Sequence, residues 1–546
     1  MIIMTTSSWD HSNVNKLTFL AVTSTYLLKF ILFRILVGLD DNLNIGLICS
    51  AYVINIAVAV AAACIVFIDR RRIVSIALLV ALDIWMLVNI WYFAANHNLI
   101  DWGVVKTATE LHGFEDAVFA YMHWSHLVFP LLTIGLIFVL VGTSNAVAHR
   151  DAKLWVVGFA ISLFLYVAGC VGTRLLDVHD EPHWVFREKE KMFLATHTPL
   201  GHLGYVGAHT IFEKKLNREA QLPFSTKERQ CLDAIITDTV PSDIPQSHLV
   251  FVLVESLESW ALQARDINGV AVCEHLNRYI ASHAVLFSPK IISQQQYGRS
   301  GDGQLITQTG LLPLSHGVTC MQYGDNVYPN YAHFYPNSVI LNPYKGVWNQ
   351  KVTTYAYGYK HLKEGRVLIH ETDSIIFKQA REVLSQAQEP TCVLALTINT
   401  HAPFNSVPKT LMFGEVYSST EADYLQCVHY MDKHLGQFLA WADTAATMRD
   451  ATIVITADHN HFPRKGGKGY CPLVMRSPKI ERSIYVPSGY QMDIFPTILS
   501  IIGQENYFWK GLGVNLQEKH PHRSISVEQA ERLSDKLIRK NYFQLR

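Results

Sequence analysis

Four polar clusters, far apart in the chain, carry residue types that together could hold a cation and a nucleophile. Val252-Leu253-Val254 runs into Glu255-Ser256-Leu257-Glu258, Leu396-Thr397-Ile398 into Asn399-Thr400-His401, and Ile453-Val454-Ile455-Thr456 into Ala457-Asp458-His459-Asn460-His461. A carboxylate, an imidazole and a carboxylate-imidazole pair gathered at one edge of a sheet make a divalent-metal site of mixed hardness. Each cluster alone is weak, because an acidic residue after a strand commonly caps a helix. Their joint placement is the signal. The fourth cluster is Tyr297-Gly298-Arg299-Ser300-Gly301-Asp302-Gly303. It puts Ser300 at the start of a helix among glycines that allow close backbone approach, and helix amino termini favour anions such as phosphate. Serine also caps helices well, so nucleophile and cap both stay open from this stretch alone. Glu258 and His461 lie close enough in sequence to orient the ligands or to bind a second metal. Asp493 reads as the cap of a helix over 494–502 and is not counted as a ligand.

The elements that must bring these clusters together are apolar runs of about six residues separated by helical stretches. That is the pattern of strands buried on both faces of a parallel sheet. The strand candidates are 248–254, 284–287, 352–357, 392–398 and 452–456. Leu425, Val428, Met431, Leu435, Phe438 and Leu439 recur at helical spacing, as the core face of a helix packed on that sheet. Alternating strands and helices indicate an α/β domain, and in open α/β sheets ligands bind beyond the carboxyl ends of the strands.

The first third of the chain is different. Of 546 residues, 46 are basic and 46 acidic, so the electrostatic mark of a nucleic-acid binder is missing. Up to residue 175 there are 10 of each, about half the charge density of the remainder. Five stretches there, 17–39, 45–68, 73–93, 124–143 and 154–173, approach or exceed the ~20 residues needed to span a bilayer. The flank Gly38-Leu39-Asp40-Asp41 offers no cleavage site of the signal-peptide kind. The loops Asp69-Arg70-Arg71-Arg72 and 150–153 are basic and belong on the cytoplasmic side, which places everything after about residue 175 outside. Lys29, Arg34 and Asp83 fall in or near the spans, where they snorkel, pair with one another or serve a relay. The aromatic-rich 94–123 loop reads as an interfacial segment. The nine cysteines show no CxxC pair, which argues against a zinc ribbon, a thioredoxin-type site or a disulfide-built scaffold.

The ordered set Glu255, Gly298-Arg299-Ser300-Gly301-Asp302 with Thr309-Gly310-Leu311-Leu312-Pro313, Thr400-His401-Ala402-Pro403-Phe404, Ala457-Asp458-His459 and Met492-Asp493-Ile494-Phe495-Pro496-Thr497 resembles the lipoteichoic acid synthase branch of the alkaline phosphatase and sulfatase superfamily. The resemblance covers about residues 248–516, and a five-span topology agrees with it. It implies an α-helical membrane domain of five transmembrane helices plus an extracytoplasmic α/β domain of alkaline phosphatase/sulfatase-like fold. It also implies one divalent cation, Mn2+ in this branch with Zn2+ or Mg2+ as alternatives, held by Glu255, Ser300, Asp458 and His459. His401 matches a substrate-contacting histidine, and Arg299 and His461 are further substrate-binding candidates. Serine stands where better-known members carry threonine and supplies the same hydroxyl. The tryptophan and arginine that read glycerol phosphate in the family follow the strand corresponding to 352–357. In this chain Trp348 precedes that stretch, and Tyr359, Lys360, His361 and Arg366 follow it.

The expected organisation is a transmembrane domain over 1–175, a membrane-proximal linker over 176–245, a sulfatase-like catalytic domain over 246–520 and a C-terminal helix over 521–546. The last starts with a capping box at Ser526-Val527-Glu528-Gln529. The expected activity is transfer of a phosphoglycerol-type headgroup from a membrane phospholipid donor to a glycan or polymer acceptor, with Ser300 as nucleophile and His401 as a proton donor. The expected location is the bacterial cytoplasmic membrane, multi-pass, with the catalytic domain outside. A sulfatase would need Cys or Ser followed by x-Pro-x-Arg, which Ser300-Gly301-Asp302-Gly303-Gln304 lacks. A phosphoethanolamine transferase would share the architecture with a different headgroup. A non-catalytic external scaffold or receptor is the reading from another class.

Overall fold

The computed structural model describes residues 11–39, 45–69, 72–96, 99–100, 121–143, 152–176, 198–204, 206–207, 213–237, 245–315, 317–343, 345, 347–365, 372–460, 469–519 and 521–545. The chain divides into two compact units, 1–100 with 118–212, and 101–117 with 213–546.

The first unit is built from helices α1 (His11–Val37), α2 (Ile45–Ile68), α3 (Ile73–Asn96), α4 (Val128–Gly142) and α5 (Ala152–Leu176). Four stretches are long and apolar enough to cross a membrane: Asn13–Val37, Ile48–Ile68, Ile73–Ala94 and Trp124–Gly142. The fifth expected span is a shorter apolar stretch, Lys153–Gly169, within α5. α2 and α5 pack so closely at Gly169 that a Cβ there would stand 2.5 Å from Ile54. Of the alternatives for the intramembrane charges, Lys29 takes pairing. Its ammonium is fully buried between Asp83 and Thr133, and the Thr133 hydroxyl donates to Asp83 Oδ2 at 2.5 Å. One side chain from each of α1, α3 and α4 thus closes a polar triangle inside the bundle.

The second unit centres on a nine-stranded sheet of order β4-β3-β5-β1-β6-β7-β2-β8, with β9 also pairing β2. The strands are β1 (Leu249–Val254), β2 (Val285–Ile292), β3 (Asn337–Asn342), β4 (His361–Glu364), β5 (Thr391–Leu396), β6 (Thr452–Ala457), β7 (Cys471–Arg476), β8 (Ile484–Tyr485) and β9 (Gly489–Tyr490). β1, β5 and β6 are buried along their whole lengths, as their uninterrupted apolar runs require. Full burial of a Val, Leu or Phe side chain contributes about 1.5–3 kcal/mol before chain entropy is charged against it, so the central strands form a stiff platform. The sheet is mixed rather than wholly parallel, because β7 runs antiparallel to both β6 and β2. The registers Leu253↔Leu396 and Val254↔Ala457 end the three central strands nearly flush, and this places Glu255, Thr397 and Asp458 side by side.

The helices of this unit are α6 (Thr226–Ile235), α7 (Glu274–Ser282), α8 (Ser300–Thr309), α9 (Gln350–Ala356), α10 (Thr372–Gln386), α11 (Ser419–Thr444), α12 (Ile494–Ile501) and α13 (Val527–Arg539). The apolar stripe of α11 is buried at all six expected positions. The strand expected over 352–357 is helix α9 instead. Its β-branched residues read as a strand, but the slot beside β5 is filled by β3, whose mixed sequence Asn337-Ser338-Val339-Ile340-Leu341-Asn342 gave a weaker signal. Neighbours in the sheet overrode local propensity. Trp348 therefore follows a strand, β3, and stands just before the Asn349 cap of α9, both in left-handed backbone (φ 55° and 52°). Residues from 213 onward, read from the sequence as part of a linker, belong to the second unit, where Lys536 of α13 pairs with Glu228 of α6 at 2.9 Å. The capping box at Ser526 and Gln529 is formed.

Candidate active site

The loops beyond the carboxyl ends of β1, β5 and β6 and the first turn of α8 meet at one point. The Ser300 hydroxyl donates to Glu255 Oε2 at 3.0 Å and lies 3.3 Å from His459 Nε2. His459 Nε2 is in turn 3.5 Å from Glu255 Oε1 and 3.6 Å from Asp458 Oδ2. Ligand atoms of Glu255, Asp458 and His459 all fall within 4.8 Å of one another, and all four side chains are buried. Expected ligands from three segments of chain are thus within reach of a single ion.

Each is held by its own loop. Ser256, in left-handed backbone (φ 50°), turns the chain after β1, so that its N–H donates to Asp458 Oδ1 at 2.8 Å and its hydroxyl to Glu255 Oε1 at 2.6 Å. The Glu255 N–H donates to the Thr397 hydroxyl at 3.0 Å, and the Thr400 hydroxyl donates to the Glu255 carbonyl. Asp458 Oδ1 also accepts from the His459 N–H at 2.7 Å, which leaves Oδ2 facing the cluster. His459 Nδ1 lies 3.3 Å from the Asn460 carbonyl. A proton on Nδ1, donated to that carbonyl, would leave Nε2 available to a metal ion.

Ser300 sits at the first position of α8, after Arg299 in an unusual backbone conformation (φ 49°, ψ −118°). Such non-glycine residues cost about 1–3 kcal/mol and collect at functional sites. The turn is held by Asp302, a fully buried carboxylate whose Oδ2 accepts from the N–H groups of Gln296 (2.8 Å) and Gly298 (2.9 Å). Burial pushes the Asp302 carboxyl up to about 7 against those two hydrogen bonds.

The electrostatics suit a cation. Burial works against ionisation of Glu255, but nearby His459 and His401 with the Ser256 and Ser300 hydroxyls hold its carboxyl below the usual range. Burial and the Glu255 charge push Asp458 well above it. Among the described residues no lysine or arginine forms an ion pair with either carboxylate. Two buried, close carboxylates are costly unless a positive charge joins them. Oxygen donors with one imidazole fit a divalent ion of borderline or hard character.

His401 is half-buried at the edge of the site, with Nδ1 2.6 Å from the Ala402 carbonyl. Arg299 adjoins the nucleophile turn. Glu258 is fully buried and accepts from the Tyr470 N–H at 3.2 Å, apart from the cluster within 4.8 Å. His461 lies outside the described residues. Asp493 is not at the cluster; it is buried and receives Arg523 at 2.9 Å along with the N–H groups of Tyr490 and Val514.

Other contributors escaped the sequence reading. Gln491, fully buried, donates to the Asp458 carbonyl at 2.6 Å; it precedes the Met492-Asp493 motif and has no local signal of its own. Gly303 lets α8 touch the backbone of Asp458, and its only signal was the density of glycines around Ser300. Trp348, named from the sequence, has its Cβ 3.7 Å from where a Cβ on Gly301 would stand and packs against Tyr297, Val318 and Cys320.

Residues 5–210 match the lipoteichoic acid synthase N-terminal domain and residues 320–504 match the sulfatase family. The chain is 22% identical over 487 residues to a lipoteichoic acid synthase of Staphylococcus saprophyticus, covering 80% of this chain and 73% of that protein. It is 20% identical to lipoteichoic acid synthase 1 of Bacillus subtilis, over 53% of this chain and about half (51%) of the relative. Among solved structures, the lipooligosaccharide phosphoethanolamine transferase A of Neisseria meningitidis overlays 91% of this chain and 96% of its own, with a TM-score of 0.49 and 13% identity.

Proposed function

Because this chain is a lipoteichoic acid synthase-like phosphotransferase of the alkaline phosphatase superfamily, we propose that it transfers a phosphoglycerol-type headgroup from a membrane phospholipid to a glycan or polymer hydroxyl through a phosphoserine on Ser300. The observation that carries this reading is the Ser300 hydroxyl inside the Glu255, Asp458 and His459 cluster.

Those three side chains and Ser300 Oγ would hold the divalent cation, Mn2+ being what the family resemblance implies and Zn2+ or Mg2+ the alternatives. When bound, the ion supplies Lewis acidity, which favours the serine alkoxide and offsets charge on the phosphoryl oxygens. Glu255 Oε2 already accepts the Ser300 proton in a hydrogen bond and aligns Oγ. Attack forms the Oγ–P bond and breaks the P–O bond to diacylglycerol, whose oxygen takes a proton from His401 or water. The acceptor hydroxyl then attacks phosphorus and passes its proton to His401 or water, while the P–Oγ bond breaks and frees Ser300. His401, Arg299 next to Ser300 in the chain, and Trp348 near Gly301 are the proposed headgroup contacts.

The test supplies the full-length protein, in a bilayer with Mn2+, with lipids labelled separately in glycerol-phosphate and ethanolamine-phosphate headgroups, and traps the adduct. Label from the glycerol lipid on wild type and none on Ser300→Ala is the expected result. Label retained by Ser300→Ala would remove Ser300 as nucleophile, and label only from the ethanolamine lipid would change the substrate.

A further inference from the structure

The C-terminal helix α13 carries a guanidinium with no exposed surface. Arg539 reaches Glu213 Oε1 at 2.5 Å, Asn217 Oδ1 at 2.6 Å, Asp535 Oδ2 at 2.7 Å and the Tyr323 hydroxyl at 3.3 Å. Tyr323 in turn donates to Asn217 Oδ1 at 2.9 Å. A buried ion pair is a poor source of net stability, since apolar side chains of similar volume hold a fold as well. What it fixes is geometry, and the geometry leads to the nucleophile.

Tyr323 directly follows a single helical turn, Thr319–Gln322, and its N–H donates to the Thr319 carbonyl at 2.9 Å. The other side of this turn carries Cys320, whose sulfur would stand 2.9 Å from a Cβ on Gly301, the residue after Ser300. Cys320 also packs in one cluster with Tyr297, Val318, Met321 and Trp348, so the same turn supports Tyr297 of the nucleophile turn and Trp348. α13 grips the flanks of this turn as well. The buried Ser534 hydroxyl receives the Leu312 N–H at 2.8 Å and donates to the Leu312 carbonyl at 2.5 Å, while Asn326 donates to the Ile538 carbonyl at 2.6 Å.

We propose that Arg539 is a positioning residue for Ser300. It clamps α13, the short helical segment over 213–221 and Tyr323 around the 319–323 turn, and that turn sets the height and direction of the Gly301 backbone beneath the nucleophile. The activity arm of the test rests on the phosphoserine reading; the exchange arm does not.

The full-length chain in bilayer discs is compared as wild type, Arg539→Lys and Tyr323→Phe. Lysine keeps a cation but has one nitrogen, so it cannot hold Asp535 from one donor atom and Glu213, Asn217 and Tyr323 from another, as Arg539 Nε and Nη1 do. Misplacing reacting groups by ~1 Å can cost about 100-fold, so a partial slackening is expected to lower kcat about tenfold with KM for the lipid and bound metal unchanged. Tyr323→Phe lowers kcat in the same direction, and the two losses do not multiply, because both break one linkage. Amide hydrogen exchange across 299–303 rises in both variants while that of β1 stays at the wild-type rate. The proposal is overturned if kcat is unchanged, if the losses multiply, or if exchange at 299–303 is unaltered. Should Arg539→Lys fail to fold, Tyr323→Phe decides alone. If the wild type transfers no label, the functional reading has failed, and the exchange result still decides this one.

Discussion

The α-carbon of Gly303 rests against the backbone of Asp458: a Cβ at 303 would stand 2.2 Å from the Asp458 carbonyl oxygen and 2.8 Å from its Cα. That contact seats the nucleophile helix on the end of β6. Gly303→Ala must push α8 away, against rigid backbone, at a cost of about 1–3 kcal/mol. Transfer should fall on the order of 100-fold. Headgroup transfer and thermal unfolding of the variant check this, and a fully active Gly303→Ala would show that the seating is unimportant.

Ser300→Thr should retain most of the transfer activity, because a secondary hydroxyl at the same position can accept the phosphoryl group. Ser300→Ala should reduce it by several orders of magnitude with little loss of stability. Mass spectrometry of the trapped protein, comparing residue 300 in the two variants, measures this.

Removal of the cation should expose the repulsion between Glu255 and Asp458. Chelation is expected to abolish transfer and lower Tm, and Mn2+ at about 100 times its dissociation constant should restore about 2.7 kcal/mol by mass action. His459→Ala should weaken metal binding about tenfold or more. Calorimetric titration of metal into wild type and variant decides it. Equal affinities would remove His459 from the ligand set.

Asp373 gives a pH dependence with a definite sign. Its buried carboxyl accepts from the Ile398 and Asn399 N–H groups at 2.8 and 3.2 Å, yet burial raises it to about 7. The fold therefore binds the proton more tightly than the unfolded chain does, so this contribution is complete below about pH 4 and is lost as pH rises through 7. Asp373→Asn should flatten the decline between those values and be the more stable form at pH 8, by on the order of a few kcal/mol. Denaturant unfolding at pH 5 and 8 measures it; an unchanged slope would contradict the assignment.

In the membrane unit, Lys29→Met alone leaves the Asp83 carboxylate buried without its cation and should cost about 3–5 kcal/mol. Lys29→Met with Asp83→Leu should recover most of that loss. Unfolding in mixed micelles tests the pair, and a double variant no better than the single would show that the triangle with Thr133 does more than neutralise charge.

The residues of the site were legible because chemistry demands particular types: a carboxylate after β1, a serine among glycines, an Asp-His after β6. The central strands were legible because burial on both faces requires uninterrupted apolar runs. β3 and α9 were not, since Asn337-Ser338-Val339-Ile340-Leu341-Asn342 is a weaker strand pattern than Val352-Thr353-Thr354-Tyr355-Ala356-Tyr357, and only the neighbours in the sheet choose between them. Gln491 gave no warning either, because a glutamine gripping a backbone carbonyl some 30 residues away leaves no local pattern.

What the sequence determined by itself was the inventory: apolar helices in the first third, an α/β sheet after them, and the side chains able to bind a cation and carry a phosphoryl group. Tertiary structure decided the distances. Flush strand registers, the left-handed turns at Ser256 and Arg299, and the glycine contact at 303 bring together groups that the chain separates by up to about 200 residues. Composition reports what a segment prefers locally, whereas the meeting of remote segments depends on packing that no single segment encodes.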